Sequence, residues 1–178
     1  MCATLLLAQG CGYQFQGRQN PLNKLGIEKI YVQQFRNRTY RPGVEQLFST
    51  AMVREIQKSR SFRLVGSEKE ADAVLSGEVS SVEAGPTSTR SETVGGKSLD
   101  VATEFNSSVS CSVTLTDSSG RPIFSQGISS SKIFPGSART GDDGSTNSLV
   151  NESEQRLAIQ FLASQMMASV YQRMVDTF

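Results

Sequence analysis

The side chains of this sequence exclude the commonest kinds of catalytic site. Its 178 residues contain no histidine, so it cannot hold a Ser–His–Asp triad, a Cys–His pair or a His-based metal site. Carboxylate-only, Ser–Lys and cofactor chemistry remain possible. Histidine is the most frequent general acid–base in enzymes, and its absence therefore argues against catalysis. We expect a non-enzymatic protein.

Motifs for phosphate or metal binding are also missing from the sequence. It contains neither a GxxxxGK[ST] loop nor a GxGxxG loop after a strand. The Asp142-Asp143-Gly144 run lacks the alternating ligands and the late Glu of a calcium loop. We expect no metal and no cofactor.

Cys11 is a candidate site of lipid attachment. It follows a short apolar stretch and Gly10, and a small residue at that position is typical of a lipoprotein leader cut before its cysteine. The acyl chains would form an anchor, because each buried methylene contributes about 0.8 kcal/mol. No Lys or Arg precedes the apolar stretch, and Gln9 suits the cleavage motif poorly. The alternative is a frayed N-terminus with a chance cysteine.

Length and charge describe one ordinary domain. Lys and Arg total 18 against 17 Asp and Glu, for a net charge of +1, which gives no indication of nucleic-acid binding. The sequence has no apolar run approaching the roughly 18 residues of a membrane-spanning helix. We predict a leader remnant over residues 1–10, a lipidated linker over 11–26, and a single domain over 27–178.

Hydrophobic spacing predicts the elements of the first half of this domain. Residues 27–35 form a short strand, and the Pro42 region breaks it before a helix that runs from Val44 to about Ser59. A short extended piece follows at residues 62–65. The next strand places five residues on one face: Ala73, Leu75, Gly77, Val79 and Ser81.

The clearest alternation runs from Leu99 to Thr116. Odd positions are mainly apolar and even positions mainly polar, which is typical of an antiparallel strand with one wet face. Cys111 lies on the apolar face, so we expect a buried core thiol rather than a reactive one. The sequence DSSGRP then predicts a turn into a hairpin partner, and residues 135–148 read as a loop.

A long helix is predicted from about Leu149 to Val175. Its apolar residues cover more than one core-facing band. Either the core face is broad, or part of the helix contacts another protein. The order of elements predicts an α+β two-layer sandwich, with about four strands in a mixed, mostly antiparallel sheet and two helices on one face.

Several stretches, taken in order, resemble the LptE family of lipopolysaccharide-assembly lipoproteins. They are GCGYQF at residues 10–15, IEKIYVQQFRNRT at 27–39, RPGVEQLFSTAMVREI at 41–56 and EADAVLSGEVSSVE at 70–83. The strand at 109–115, the DSSGRPIFS hairpin and the terminal helix continue the match. The resemblance therefore covers nearly the whole mature chain, although Gln9 departs from the family's cleavage motif.

The resemblance implies a lipoprotein anchored to the outer membrane on its periplasmic face. Such a protein would plug the β-barrel of its partner LptD, assist that partner's assembly and bind lipopolysaccharide during delivery. The alternative is a periplasmic lipoprotein scaffold or secretion-system component of similar fold, without a role in lipopolysaccharide transport.

Lipopolysaccharide carries phosphates, so a protein that binds it needs exposed Lys or Arg. The candidates are Arg90 and Lys97, on a predicted long loop over residues 84–98, and Lys132 at the end of the last strand. The alternative for each is an ordinary solvated surface charge.

Overall fold

Two helices cover one face of a six-stranded mixed sheet in the computed structural model, which describes residues 22, 25–59, 61–94, 96–136 and 148–177. In chain order the elements are β1 (Lys29–Val32), β2 (Arg36–Asn37), α1 (Val44–Ser59), β3 (Arg63–Leu64), a 3₁₀ turn (Glu68–Glu70), β4 (Ala73–Val94), β5 (Lys97–Asp117), β6 (Pro122–Pro135) and α2 (Ser148–Asp176). The predicted α+β class, the mixed sheet and both helices are confirmed. The sheet has more strands than the four expected.

The sheet begins as a parallel arrangement and continues as an antiparallel one. Its main path is β3-β1-β4-β5-β6, and β2 pairs with β4 beside β1. Strand β1 runs parallel to both β3 and β4, because the helix α1 returns the chain to the same end of the sheet before the next strand starts. Strands β4, β5 and β6 then form an antiparallel meander.

The loop predicted over residues 84–98 is wrong. Strand β4 continues to Val94 and pairs with β5 as far as Val94↔Lys97. The Gly, Pro and Ser residues that suggested a loop are absorbed by irregular pairing, since the register shifts on both sides of Ser88. Thr and Val in this stretch favour strand structure, and their pairing with the alternating residues of β5 decides the outcome.

A bulge in β4 corrects the predicted face of one residue. Ala73, Leu75 and Val79 are buried as expected, but the register shifts between Val79 and Ser81. An extra residue in a strand reverses the faces of those that follow it. Ser81 therefore pairs with Ser110 on the polar face, rather than continuing the apolar row.

The predicted turn between β5 and β6 is confirmed. The Asp117 carboxylate accepts hydrogen bonds from the Ser119 hydroxyl at 2.6 Å and from the backbone N–H groups of Arg121 at 3.0 Å and Ser119 at 2.9 Å. These bonds, the one from the Ser119 hydroxyl above all, hold the pKa of that carboxyl below its usual range. Gly120 has φ 82°, a left-handed conformation that glycine adopts without strain.

One apolar core lies between the sheet and the helices. Helix α1 contributes Val44, Phe48, Ala51, Met52 and Ile56; α2 contributes Ile159, Leu162, Met166, Met167, Val170 and Met174 among others. Cys111 is buried within this core, and burial raises the pKa of its thiol to about 12. The expected burial of Cys111 in the core is therefore confirmed, and its low reactivity stays a prediction.

The N-terminal boundary is described only in part. Cys11 and residues 1–10 lie outside the described residues. Leu22, within the stretch assigned to the linker, is fully buried in the core, and its carbonyl accepts a hydrogen bond from the Ile27 N–H at 3.1 Å. No helix in the described part of the chain is long and apolar enough to cross a membrane.

Candidate functional site

Lys132 is held on the helix side of the sheet, near its open edge. Lys132 is paired with the buried Ser107 on β5, so the two side chains project from the same face of the sheet. Its Nζ lies 4.0 Å from the centre of the Phe161 ring on α2. At a partly exposed site such a cation–π contact contributes about 0.5–1 kcal/mol. The ammonium group therefore has a defined position on the surface.

Exposed apolar side chains lie beside this cation. Phe161 is 50% exposed, and Leu157, one turn earlier on the same side of α2, is 58% exposed. The remaining apolar residues of the central part of α2 face the core. The broad apolar coverage of α2 thus contains both a core face and an exposed stripe. A cation next to exposed apolar surface can bind a molecule that carries both phosphate and acyl groups.

The three predicted basic residues do not form one cluster. Arg90 is paired with Val101, whereas Lys132 is paired with Ser107. Six residues of β5 separate these positions, or about 20 Å along the strand. Lys97 is paired with Val94 beside the hairpin tip, four residues further along. One phosphate group cannot contact all three residues, so each would meet a different part of a large ligand.

The opposite face of the sheet is covered with hydroxyl groups. Ser110 and Ser129 share a hydrogen bond between their Oγ atoms at 2.9 Å, and the Ser80 hydroxyl donates to the Ser110 carbonyl at 3.2 Å. Further along, the Thr114 and Ser125 hydroxyls lie 3.4 Å apart. These hydroxyl groups are exposed, so the face suits contact with water or with another polar surface.

A second cluster of charged side chains lies where the loop before α1 meets β4. Arg38 pairs with Glu78 at 2.9 Å, and Arg41 pairs with Glu152 on α2. Tyr40 between them is fully exposed. The loop is held by the Asn37 side chain, whose amide donates to the Arg41 carbonyl at 2.8 Å and to the Glu45 carboxylate at 2.7 Å. Sequence reasoning did not identify this cluster, because its residues meet through the pairing of β2 with β4 and through the contact of Arg41 with Glu152 on α2.

The described residues form neither a Ser–Lys catalytic pair nor a cluster of metal ligands. Ser129 and Lys132 have the SxxK spacing of some hydrolases, but they belong to one strand, where positions three apart leave opposite faces. Ser129 lies on the polar face and Lys132 contacts α2. In the described ranges no group of three or more Cys, Asp or Glu side chains is placed to hold a metal.

The comparisons with known proteins match one family model and several solved structures. A family model described as "LptE: Lipopolysaccharide-assembly" matches residues 27–174. The rare lipoprotein B from Shewanella oneidensis is similar in structure, with 11% identity and a TM-score of 0.54 over 84% of this chain and 96% of that one. A PelC variant from Paraburkholderia phytofirmans has 15% identity and a TM-score of 0.48 over 83% and 89%. No curated protein matches the chain.

Proposed function

Since the chain belongs to the LptE family of lipopolysaccharide-assembly proteins, we propose that it is the lipoprotein subunit that plugs an LptD-type β-barrel in the outer membrane and assists delivery of lipopolysaccharide to the outer leaflet. The family match over residues 27–174 is the observation that carries this proposal. The fold shared with rare lipoprotein B supports it. The family is not enzymatic, and we propose the same of this chain.

The polar face of the sheet supports the plug role. The hydroxyl-lined surface around Ser110 and Ser129 lies opposite the helices. The lumen of a large outer-membrane barrel is polar and hydrated. A protein that enters such a lumen needs a polar surface, and this face of the sheet is polar.

Cys11 is proposed as the lipidated first residue of the mature protein, after removal of residues 1–10. Residues 11–26 would then connect the anchor to the domain over 27–178. We expect Cys11→Ala to move the chain from the membrane fraction to the soluble fraction without changing its thermal unfolding. Mass spectrometry of the membrane-bound form should locate acyl groups on Cys11.

The barrel partnership is tested by purification from native membranes. A tagged chain should copurify with a large outer-membrane barrel protein, and depletion of the chain should reduce the lipopolysaccharide at the cell surface. Isolation from those membranes with no barrel partner would contradict the proposal. It would favour instead a lipoprotein scaffold that has no part in lipopolysaccharide transport.

Direct binding of lipopolysaccharide is assigned to the surface formed by Lys132, Phe161 and Leu157, with Arg90 and Lys97 meeting separate parts of the ligand. Charge-assisted hydrogen bonds to phosphate contribute about 1.5–3 kcal/mol. We therefore expect Lys132→Glu to weaken binding of purified lipopolysaccharide at least tenfold. Lys69→Glu is the control, since Lys69 is an exposed cation on the 3₁₀ turn that precedes β4. Equal losses in both variants would indicate a nonspecific charge effect.

A further inference from the structure

Strand β6 forms an open edge of the sheet. Among the strands that the structure describes, β6 is the last on the main path, and β5 is the strand that pairs with it. The Gly136 N–H donates to the Thr103 carbonyl at 2.8 Å. In an antiparallel ladder the hydrogen-bonded pairs alternate, so even-numbered residues of β6 bond to β5. The odd-numbered residues then direct their N–H and C=O groups away from the sheet.

Nothing in the described part of the chain pairs with this row as a strand would. The five outward residues that carry an N–H are all exposed: Ser125, Gly127, Ser129, Ser131 and Ile133. One of their carbonyls, that of Gly127, accepts a hydrogen bond from the Gln126 side chain of the same chain at 2.6 Å. That contact confirms that the carbonyl points outward, and an incoming backbone N–H can replace it.

Natural edge strands are protected from strand pairing by bulges, charged side chains or prolines. Between Ser125 and Ile133 strand β6 carries one such feature, Lys132, whose side chain contacts Phe161 on the helix side of the sheet. The outward row from Ser125 to Ile133 is uncharged, pairs with β5 without a register shift, and has proline only beyond its ends. An edge of this length with such small residues is a template for a further strand.

We propose that the free chain forms a two-fold dimer in which β6 pairs antiparallel with β6 of a second copy, centred on Ser129. The row is self-complementary about that residue. Ser125 then faces Ile133 of the second copy, Gly127 faces Ser131, and Ser129 faces itself. These five pairs exchange about ten backbone hydrogen bonds.

A second copy meets β6 in this register without repulsion between like charges. The sole charged residue of β6 is Lys132, which the two-fold axis places opposite Gln126 of the second copy. No like charges meet, and the Lys132 ammonium keeps its contact with Phe161. The exposed Ile133 gains a neighbour across the new pair. The resulting continuous sheet joins the hydroxyl faces of both copies.

The test uses the full chain with Cys2→Ser and Cys11→Ser, which removes the terminal thiols and leaves the buried Cys111. We expect sedimentation equilibrium at about 50 μM to give twice the monomer mass. Ser129→Lys places two ammonium groups opposite each other at the axis and should weaken dimerisation about tenfold. Ser112→Lys adds the same charge to the polar face of the sheet, but on β5 rather than on the edge strand, and should leave the dimerisation constant unchanged.

A cysteine trap checks the register. Ser129→Cys brings two thiols across the axis, at a Cα separation near 5.5 Å that permits a disulfide. Mild oxidation should crosslink this variant and not Ser112→Cys. A monomer at 200 μM overturns the inference, as does a dimer equally insensitive to both lysine substitutions or one that Ser129→Cys fails to trap. Copurification with a barrel is a separate measurement, so this inference and the proposed function can fail independently.

Discussion

Gly77 in β4 leaves a gap that is filled by the ring of Phe35. A Cβ atom added at Gly77 would lie 2.2 Å from Phe35 Cε1 and 2.5 Å from both Cδ1 and Cζ. Carbon atoms in contact prefer about 3.5–4.0 Å. The ring is 2% exposed and lies 6.2 Å from the Phe48 ring, so it cannot move without disturbing the core.

Gly77→Ala should therefore destabilise the protein by about 1–2 kcal/mol. Overpacking of a close-packed core costs about 1–3 kcal/mol, and the reduced freedom of the unfolded chain offsets about 0.4–1 kcal/mol of it. For a chain of this size the expected fall in melting temperature is about 2–8 °C. Gly85→Ala is the matched control on the same strand, since a Cβ there meets nothing within 4 Å.

A double-mutant cycle with Phe35→Leu assigns the effect to this contact. Leu lacks the ring atoms that a Cβ at Gly77 would strike, so in that background Gly77→Ala should cost less by about 1 kcal/mol or more. Urea unfolding measures all four forms, with the slope of the transition checked for constancy. If Gly77→Ala is as stable as Gly85→Ala, or if Phe35→Leu does not reduce its cost, the reasoning is refuted.

Three further predictions concern polar groups in the fold. Cys111→Ser places a hydroxyl in the core and should cost about 1–3 kcal/mol, while the native thiol, whose pKa burial raises to about 12, should resist a thiol reagent at pH 8. The Asp72 carboxylate accepts hydrogen bonds from two backbone N–H groups, and these bonds lower its pKa. Asp72→Asn should therefore lower the free energy of unfolding at pH 7, and the difference from the unmodified protein should vanish as the pH falls through that lowered pKa. An unchanged difference at pH 2 would contradict this. Tyr171→Phe removes a 2.6 Å hydrogen bond to Ser59 and should cost about 0.5–1.5 kcal/mol in urea unfolding.

The sequence alone predicted both helices and strand β5, whose apolar residues recur at a regular spacing. The bounds expected for α1 agree with Val44–Ser59, and α2 extends one residue beyond each expected end. The alternation in β5 placed Cys111 in the core before any pairing partner was known. These predictions are correct because apolar residues repeated every 3.6 or 2 positions lie on one face of a helix or a strand, and that face must be buried.

Pairing over long distances could not be read in the same way. The hairpin extension to Val94 contains Gly, Pro and Ser that favour loops locally, and only its pairing with β5 makes it a strand. The bulge beside Ser80 depends on the same partner. The contact of Phe35 with Gly77 had a weak sequence signal, since glycine inside a strand often marks a close approach. The atom that approaches it was not predictable.

The candidate site divides along the same line. The sequence by itself determined that basic side chains are available at Arg90, Lys97 and Lys132, that histidine chemistry is impossible, and that the chain resembles a lipopolysaccharide-assembly family. The tertiary structure alone decided that Lys132 lies over Phe161 while Arg90 is paired six residues away along β5. It also decided that the uncharged row of β6 stands at an open edge. Residue type and periodicity are local properties, whereas the neighbours of a side chain are set by strand order and register.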